Sequence, residues 1–177
     1  MATQSPGFTT SSAEFAAALL AERELVPRAR LIAEQVSLLL PNSAVVIYAI
    51  EDQESPAWRA VAATGDVGVH HNISQIGAGT LGEIAERKTP VIFPGSALAR
   101  EDYAHLDVRR TVISLAYVPI LIDEMLLGAI EVLSYETPIS EVSLEPLNEV
   151  AQYAAIAIAT AIAYENERNQ KIGRAHV

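Results

Sequence analysis

Ser114-Leu115-Ala116-Tyr117-Val118-Pro119-Ile120-Leu121-Ile122-Asp123-Glu124-Met125-Leu126-Leu127-Gly128-Ala129-Ile130-Glu131-Val132-Leu133-Ser134 sets two apolar runs on either side of an acidic pair. Their β-branched and aromatic residues read as strands over 112–122 and 125–134. A two-residue link is far shorter than the crossover that parallel strands require, so the two form an antiparallel hairpin. Pro119 cannot donate to a ladder, which places it at a sheet edge or a bulge.

Outward from this hairpin the elements fall into order. From Ser140 a long helix runs to about residue 169, with Pro146 tolerated in its first turn. Upstream, 44–50 and 58–64 read as strands joined by the polar stretch 51–56, and 69–76 as a third. Residues 80–87 read as a short helix with a Thr80/Glu83 capping box. Residues 91–93 form a short strand closed by Pro94-Gly95, and 96–111 an irregular segment with a helical turn. At the start, Ser11-Ser12 caps a helix reaching about residue 24. Pro27 fits the first turn of a second helix, whose buried face is Leu25, Ala29, Ile32, Val36 and Leu39. The fold class is α+β with an antiparallel sheet.

Half of the 177 residues are hydrophobic, a composition that buries a proper core. There is no cysteine, which removes disulfides, thiolate metal sites, a cysteine nucleophile and thioether attachment of a chromophore. With 22 acidic and 12 basic residues the formal charge is −10. Such a chain repels phosphate backbones and anionic membranes, and Arg109-Arg110 is too small a patch to reverse this. No nucleic-acid or membrane partner is expected. The start of the chain has no basic and apolar signal pattern, and no apolar run is long enough to span a bilayer. A cytoplasmic location is the expectation.

Two motifs invite chemistry. Gly77-Ala78-Gly79-Thr80-Leu81-Gly82 spells a dinucleotide fingerprint, but the preceding segment is not a continuous apolar strand. A second parallel strand with a ribose-binding acid is also missing. Turn and helix-packing glycines are the better reading. His70, His71 and His105 are candidate iron or haem ligands. Adjacent histidines on a strand point to opposite faces, so a solvated pair is the favoured account of His70-His71 and His105 remains a minor candidate. No nucleophile elbow or acid–base constellation is present, so catalysis is not supported.

The last helix is apolar on every side over residues 154–163, whereas a helix on a sheet needs one apolar stripe. Ile156, Ile158 and Ile162 cannot all face one sheet, since positions i and i+2 point about 200° apart. They are the candidate interface of a homodimer. Beyond Tyr164 the sequence turns polar, as a helix leaving the core toward an output domain would. Residues 172–177 match the translation of a sequencing adapter; they are read as a non-native tail, expected to fray.

Ser114 to Ile120, with its ending in Val-Pro-hydrophobic, followed by Leu127-Gly128-Ala129-Ile130-Glu131-Val132-Leu133-Ser134, resembles the hairpin signature of GAF domains. Ile139-Ser140, then Leu147, Ala151, Ala155, Ala157, Ile158 and Glu165-Asn166, resembles the family's closing helix. Gly77, Gly79 and Gly82 ahead of Thr89-Pro90-Val91-Ile92 resemble its middle segment. The likeness covers roughly residues 25–166, leaving 1–24 as an N-terminal extension and helix and 167–171 as the start of a helical linker. It implies a GAF/PAS-like sheet of five or six antiparallel strands, with terminal helices on one face and a pocket roofed by the middle segment on the other. The candidate pocket residues are Tyr48, Phe93, Tyr103, Arg109, Ser114 and Tyr117. Arg109 or Arg110 would orient an anionic group, or form a solvated surface pair.

The family's cyclic-nucleotide signature is missing, and without cysteine a covalent bilin and the free-methionine-sulfoxide-reductase subgroup are disfavoured. Haem is disfavoured too, and no cofactor is identifiable. The expected function is that of a non-enzymatic sensory domain binding an unidentified small molecule, dimerising, and controlling a C-terminal output domain. A purely structural dimerisation module is the alternative, and an untyped enzyme the third reading.

Overall fold

The computed structural model describes residues 11–70, 77 and 79–176. Helix α1, Ser12–Ala21, starts at a capping box in which Ser11 and Glu14 exchange side-chain-to-backbone hydrogen bonds of 3.2 and 3.0 Å. Helix α2, Leu25–Leu39, begins two residues before Pro27, which sits harmlessly in its first turn. Its free Leu25 N–H is satisfied by the Glu165 carboxylate at 3.0 Å, a cap supplied from the other end of the chain.

Strands β1 (Ser43–Ala49) and β2 (Arg59–Thr64) pair antiparallel. The two-residue β3, Gly68–Val69, is all of the expected third strand that is described; 71–76, and with them His71, lie outside the described residues. Helix α3 is Gly79–Arg87 and β4 is Val91–Pro94. The segment 95–107 contains two 3-10 turns, at Gly95–Ala97 and Arg100–Tyr103, and the two-residue β5, Leu106–Asp107. The hairpin is β6, Ser114–Ile122, and β7, Met125–Ser134, with Asp123 turning at φ 53°. Helix α4 spans Leu144–Ala175.

The strand order β2-β1-β7-β6-β4 makes one five-stranded antiparallel sheet, with β3 and β5 as a separate ribbon. Pro119 meets both sequence expectations. β4 pairs only with residues 114–117 of β6, so at Pro119 that strand is locally an edge, and the β6–β7 register shifts at Ile120/Leu121. The shift leaves Leu127 as the extra residue of a bulge. Across it the alternation on β7 changes phase: Leu127 and Ile130 both join the helix-side core. Gly128 lies against β1, where any Cβ would come inside 3.0 Å of the Tyr48 carbonyl oxygen.

Each face of the sheet has its own apolar layer. Val45, Ile47, Val118, Ile130 and Val132 meet α1, α2 and α4 on one side. Val46, Tyr48, Leu115, Tyr117 and Leu133 meet α3, Leu106 and Val112 on the other. The all-round apolar stretch of α4 is largely explained within one chain. Leu147, Ala151, Ala154, Ile158 and Ala161 are buried, and the alanines let helices pack closely. Ile158 is fully buried in this chain's own core and Ile162 is partly buried against it; Ile156 is 62% exposed. Of the three, Ile156 alone is presented to the outside, because α1 and α2 cover the flanks of α4.

Two local expectations are corrected. Thr80 does not cap α3. It lies inside the helix with its hydroxyl bonded to Tyr117 and to the Asp102 carbonyl, while Glu83 pairs with Arg87 at 2.7 Å. Nor does the end of the chain fray through residues 172–175: α4 continues to Ala175, helped by the i,i+4 pair of Glu167 and Lys171 at 2.9 Å, with residues 166–176 all exposed.

Candidate functional site

Glu131 is the single charged residue of β7, and β7 lies between β1 and β6, so the side chain has no route to solvent along the sheet. It is completely buried. Register sets Tyr117 of β6 directly across from it and Tyr48 of β1 one step along the diagonal, where long side chains still meet. Tyr48 donates its phenolic O–H to Glu131 Oε1 at 2.9 Å. On the second oxygen, Oε2, His105 Nε2 approaches to 2.9 Å from the segment between the 3-10 turn and β5. Tyr117 and Thr80 join their hydroxyls at 2.6 Å, and Thr80 Oγ1 also donates to the Asp102 carbonyl at 3.1 Å. The covering layer is thus tied to the sheet by two polar links, one from α3 and one from the segment before β5.

Aromatic rings wall the cluster. Tyr48 meets Trp58 and His105 edge-on, with centroids 6.0 and 6.1 Å apart, and Phe93 meets Tyr117 at 5.9 Å. Trp58 Nε1 is buried without a hydrogen-bond partner among the described residues. The glycines that spelled a fingerprint serve this layer's backbone. Gly79 has φ +62°, and a Cβ there would stand 2.6 Å from the Asp102 carbonyl oxygen, so α3 can start against that segment only at a glycine.

Burial holds the Tyr48 and Tyr117 hydroxyls well above the usual tyrosine range, and the nearby Glu131 charge raises both further. A raised folded pKa means the native state binds the proton more tightly than the unfolded chain does. The stability this contributes is complete below the unfolded value near pH 10 and is lost as pH rises beyond it. Alkaline titration should therefore show these two of the six tyrosines ionising only together with unfolding. Phenolate absorbance rising to its full extent before the circular dichroism changes would contradict the burial.

Of the residues singled out in the sequence, Tyr48 and Tyr117 are in the cluster and Phe93 packs on it. Tyr103 is half-buried against the same layer, beneath the Arg100 guanidinium at 5.1 Å. Ser114 is not part of it. Its alternation partners Ala116 and Val118 face the helices, and its Oγ accepts from the Ile139 N–H at 2.9 Å, tying down the chain after β7. Arg109 is exposed, and Arg110 is exposed too, pairing with Glu136 at 3.4 Å and covering the Tyr135 ring. His70 is exposed. Glu131 and Trp58 were not singled out, Thr80 only as a helix cap, and His105 only as a metal ligand. A lone carboxylate inside a ten-residue apolar strand was the signal available for Glu131. Among the described residues no group of three His, Asp or Glu side chains could hold a metal ion, and no helix is long and apolar enough to cross a membrane.

An antiparallel sheet with terminal helices on one face and a short helix plus irregular segment on the other defines a known class of α+β domain. The chain belongs to the GAF domain family, which matches residues 23–159. GAF domains are generally sensory or regulatory domains of signalling proteins. The fold is similar to that of the GAF domain of a phosphoenolpyruvate-protein phosphotransferase from Acinetobacter. That similarity has a TM-score of 0.69 and 19% identity, over 85% of this chain and 92% of that one. The corresponding domain from Coxiella burnetii gives 0.69 and 18%, over 87% and 94%. Free methionine-R-sulfoxide reductase from Neisseria meningitidis, solved with its substrate, gives 0.69 and 15%, over 84% and 86%. No curated protein matches the sequence.

Proposed function

We propose that this chain is a non-enzymatic regulatory domain of the cytoplasm that binds a small molecule between its sheet and the layer formed by α3 and residues 95–107. The observation that carries this reading is the buried carboxylate of Glu131, held by Tyr48 and His105 within an otherwise apolar layer. Desolvating such a group costs several kcal/mol that its partners only partly return, about what a hydrophobic residue would have avoided. Buried polar clusters of this kind concentrate at binding sites. The cluster offers no nucleophile set beside a free base: both Glu131 oxygens are engaged, and the Thr80 hydroxyl is shared with Tyr117 and a backbone carbonyl. Binding without turnover is the function that fits. A ligand that takes only the native state raises the melting temperature in proportion to ln(1 + [L]/Kd). A thermal-shift screen of small metabolites should find such a compound, and Glu131→Gln should remove its effect. A screen in which every active compound acts equally on Glu131→Gln would place the site elsewhere.

A second reading, dimerisation, is favoured by one separate feature. Leu20 of α1 and Ile156 of α4 are 76% and 62% exposed, and they flank a 260 Å³ apolar groove floored by Ala16, Leu19, Tyr153 and Ala157. We infer a homodimer packed through these two helices, with α4 carrying the signal on toward an output domain. Burying one such side chain is worth about 1.5–3 kcal/mol. Sedimentation at tens of micromolar should show a dimer that Ile156→Glu dissociates; a monomeric wild-type chain would end this reading.

A further inference from the structure

We propose that His105 occupies a subsite that Glu131 holds for a planar nitrogen cation, so that the chain's own imidazole stands where a guanidinium-, amidinium- or imidazolium-bearing ligand would bind. The inference rests on reading this sheet face as the ligand face, and it names the ligand's chemistry.

Three observations lead to it. First, the two oxygens of Glu131 have unequal partners. Oε1 is held by Tyr48, a fixture of the central sheet, whereas Oε2 is held by a group from the covering segment. Among the described residues His105 is the only basic side chain within 4.0 Å of Glu131. The groups facing the pair are Tyr48 from β1 and Tyr117 from β6, with Thr80 of α3 bonded to Tyr117 behind it, all neutral donors or acceptors near neutral pH. If the carboxylate is to be neutralised by a cation, His105 or a ligand must supply it.

Second, the wall beside that oxygen suits a flat cation. The Tyr48 ring meets the imidazole at 67° with centroids 6.1 Å apart, and Trp58 meets Tyr48 at 6.0 Å with a buried N–H that has no partner among the described residues. A flat ring packed against aromatic neighbours while its N–H reaches a carboxylate keeps both its apolar surface and its polar edge satisfied.

Third, most of the stretch that leads up to His105 lies at the surface between two anchored ends. Ser96, Ala97, Ala99, Arg100, Glu101 and Ala104 are exposed. Its ends are anchored, by the Gly95 N–H to the Ile113 carbonyl at 2.7 Å and by the pairing of β5 with β3 over the fully buried Leu106, and between them the ties are the Thr80–Asp102 bond and the His70 N–H to the His105 carbonyl at 3.0 Å. An exposed stretch between two anchors opens locally at less cost than the anchors themselves. A cationic ligand that displaced His105 would free the stretch 96–105 between its anchors at Gly95 and β5, which converts occupancy into a change of shape.

The test empties the subsite and refills it. In the full chain, His105→Ala leaves a space the size of an imidazole against Glu131. Imidazole at roughly 50 mM should then raise the melting temperature of His105→Ala saturably, by about 4 °C or more, with no comparable effect on the wild-type protein. Pyrazole, which has the same shape and is not cationic near neutral pH, should do little, and His105→Ala/Glu131→Gln should not respond. If His105→Ala does not fold alone, its refolding from urea with and without imidazole reads the same property. Recovery with imidazole supports the subsite; failure with imidazole while His105→Gln folds normally overturns it. No response, an equal response to pyrazole, or an equal response in the double variant would also overturn it. These outcomes are separable from the fate of the broader reading. An uncharged metabolite that stabilises the wild-type protein while imidazole fails on His105→Ala would sink the cation subsite alone. Imidazole binding to His105→Ala with no metabolite found would leave the subsite standing.

Discussion

His105→Ala should cost about 1–3 kcal/mol of folding stability or more, the range expected when a buried acceptor loses its hydrogen-bond partner, larger where the acceptor is a carboxylate. The stranded group is Glu131, completely buried, with Oε2 deprived of its 2.9 Å partner while Tyr48 still holds Oε1. Adding Glu131→Gln to His105→Ala should recover much of that loss, because a neutral amide is far cheaper to bury than an unpaired carboxylate. Urea unfolding of wild type, both single variants and the double variant measures the coupling directly. Additive losses would mean that the two side chains, though adjacent, contribute independently. The cycle is run without imidazole, so it reports the pair itself and not the refilling of its site.

Gly128→Ala should be at least as damaging, with a loss above about 4 kcal/mol or failure to fold. The methyl group would come inside 3.0 Å of the Tyr48 carbonyl oxygen, and the obstacle is backbone rather than a side chain that could rotate away. Relief requires β1 and β7 to separate at the centre of the sheet, beside the bulge at Leu127 where the ladder is already interrupted. A shift of those strands would also move Tyr48 relative to Glu131. A Gly128→Ala protein that melts within a degree or two of wild type would show that the strands accommodate the methyl group more easily than this geometry allows. Gly173→Ala is the control: a Cβ there meets nothing and the position is helical, so that variant should be no less stable.

The hairpin shows how much of the fold could be read directly. Residues 112–134 announce two strands and their antiparallel pairing, because the apolar content of a strand and the length of a turn are properties of adjacent residues. The same holds for the buried stripe of α2 and for the capping serine of α1. Thr80 shows the limit. A threonine three residues before a glutamate fits a cap locally, but Tyr117, 37 positions away, takes its hydroxyl once the sheet has formed. Ser114 was placed on the pocket side with Tyr117, although an odd separation of three along one strand sends the two side chains to opposite faces.

What the sequence determined by itself was the set of elements and the class of domain. Periods of 2 and 3.6, turn residues and helix stops act over a few positions and need no knowledge of what lies across the fold. What only the tertiary structure decided was the meeting of Glu131 with Tyr48, 83 positions away, and with His105, 26 positions away. Both follow from the order β2-β1-β7-β6-β4, which sets β1, an early strand, beside β7, the last, and folds the segment before β5 over them. It also decided which of Ile156, Ile158 and Ile162 is left outside. Helical geometry alone puts Ile156 and Ile158 on opposite sides, but covering one and exposing the other depends on where α1, α2 and the sheet lie, and that is a property of packing between distant parts of the chain.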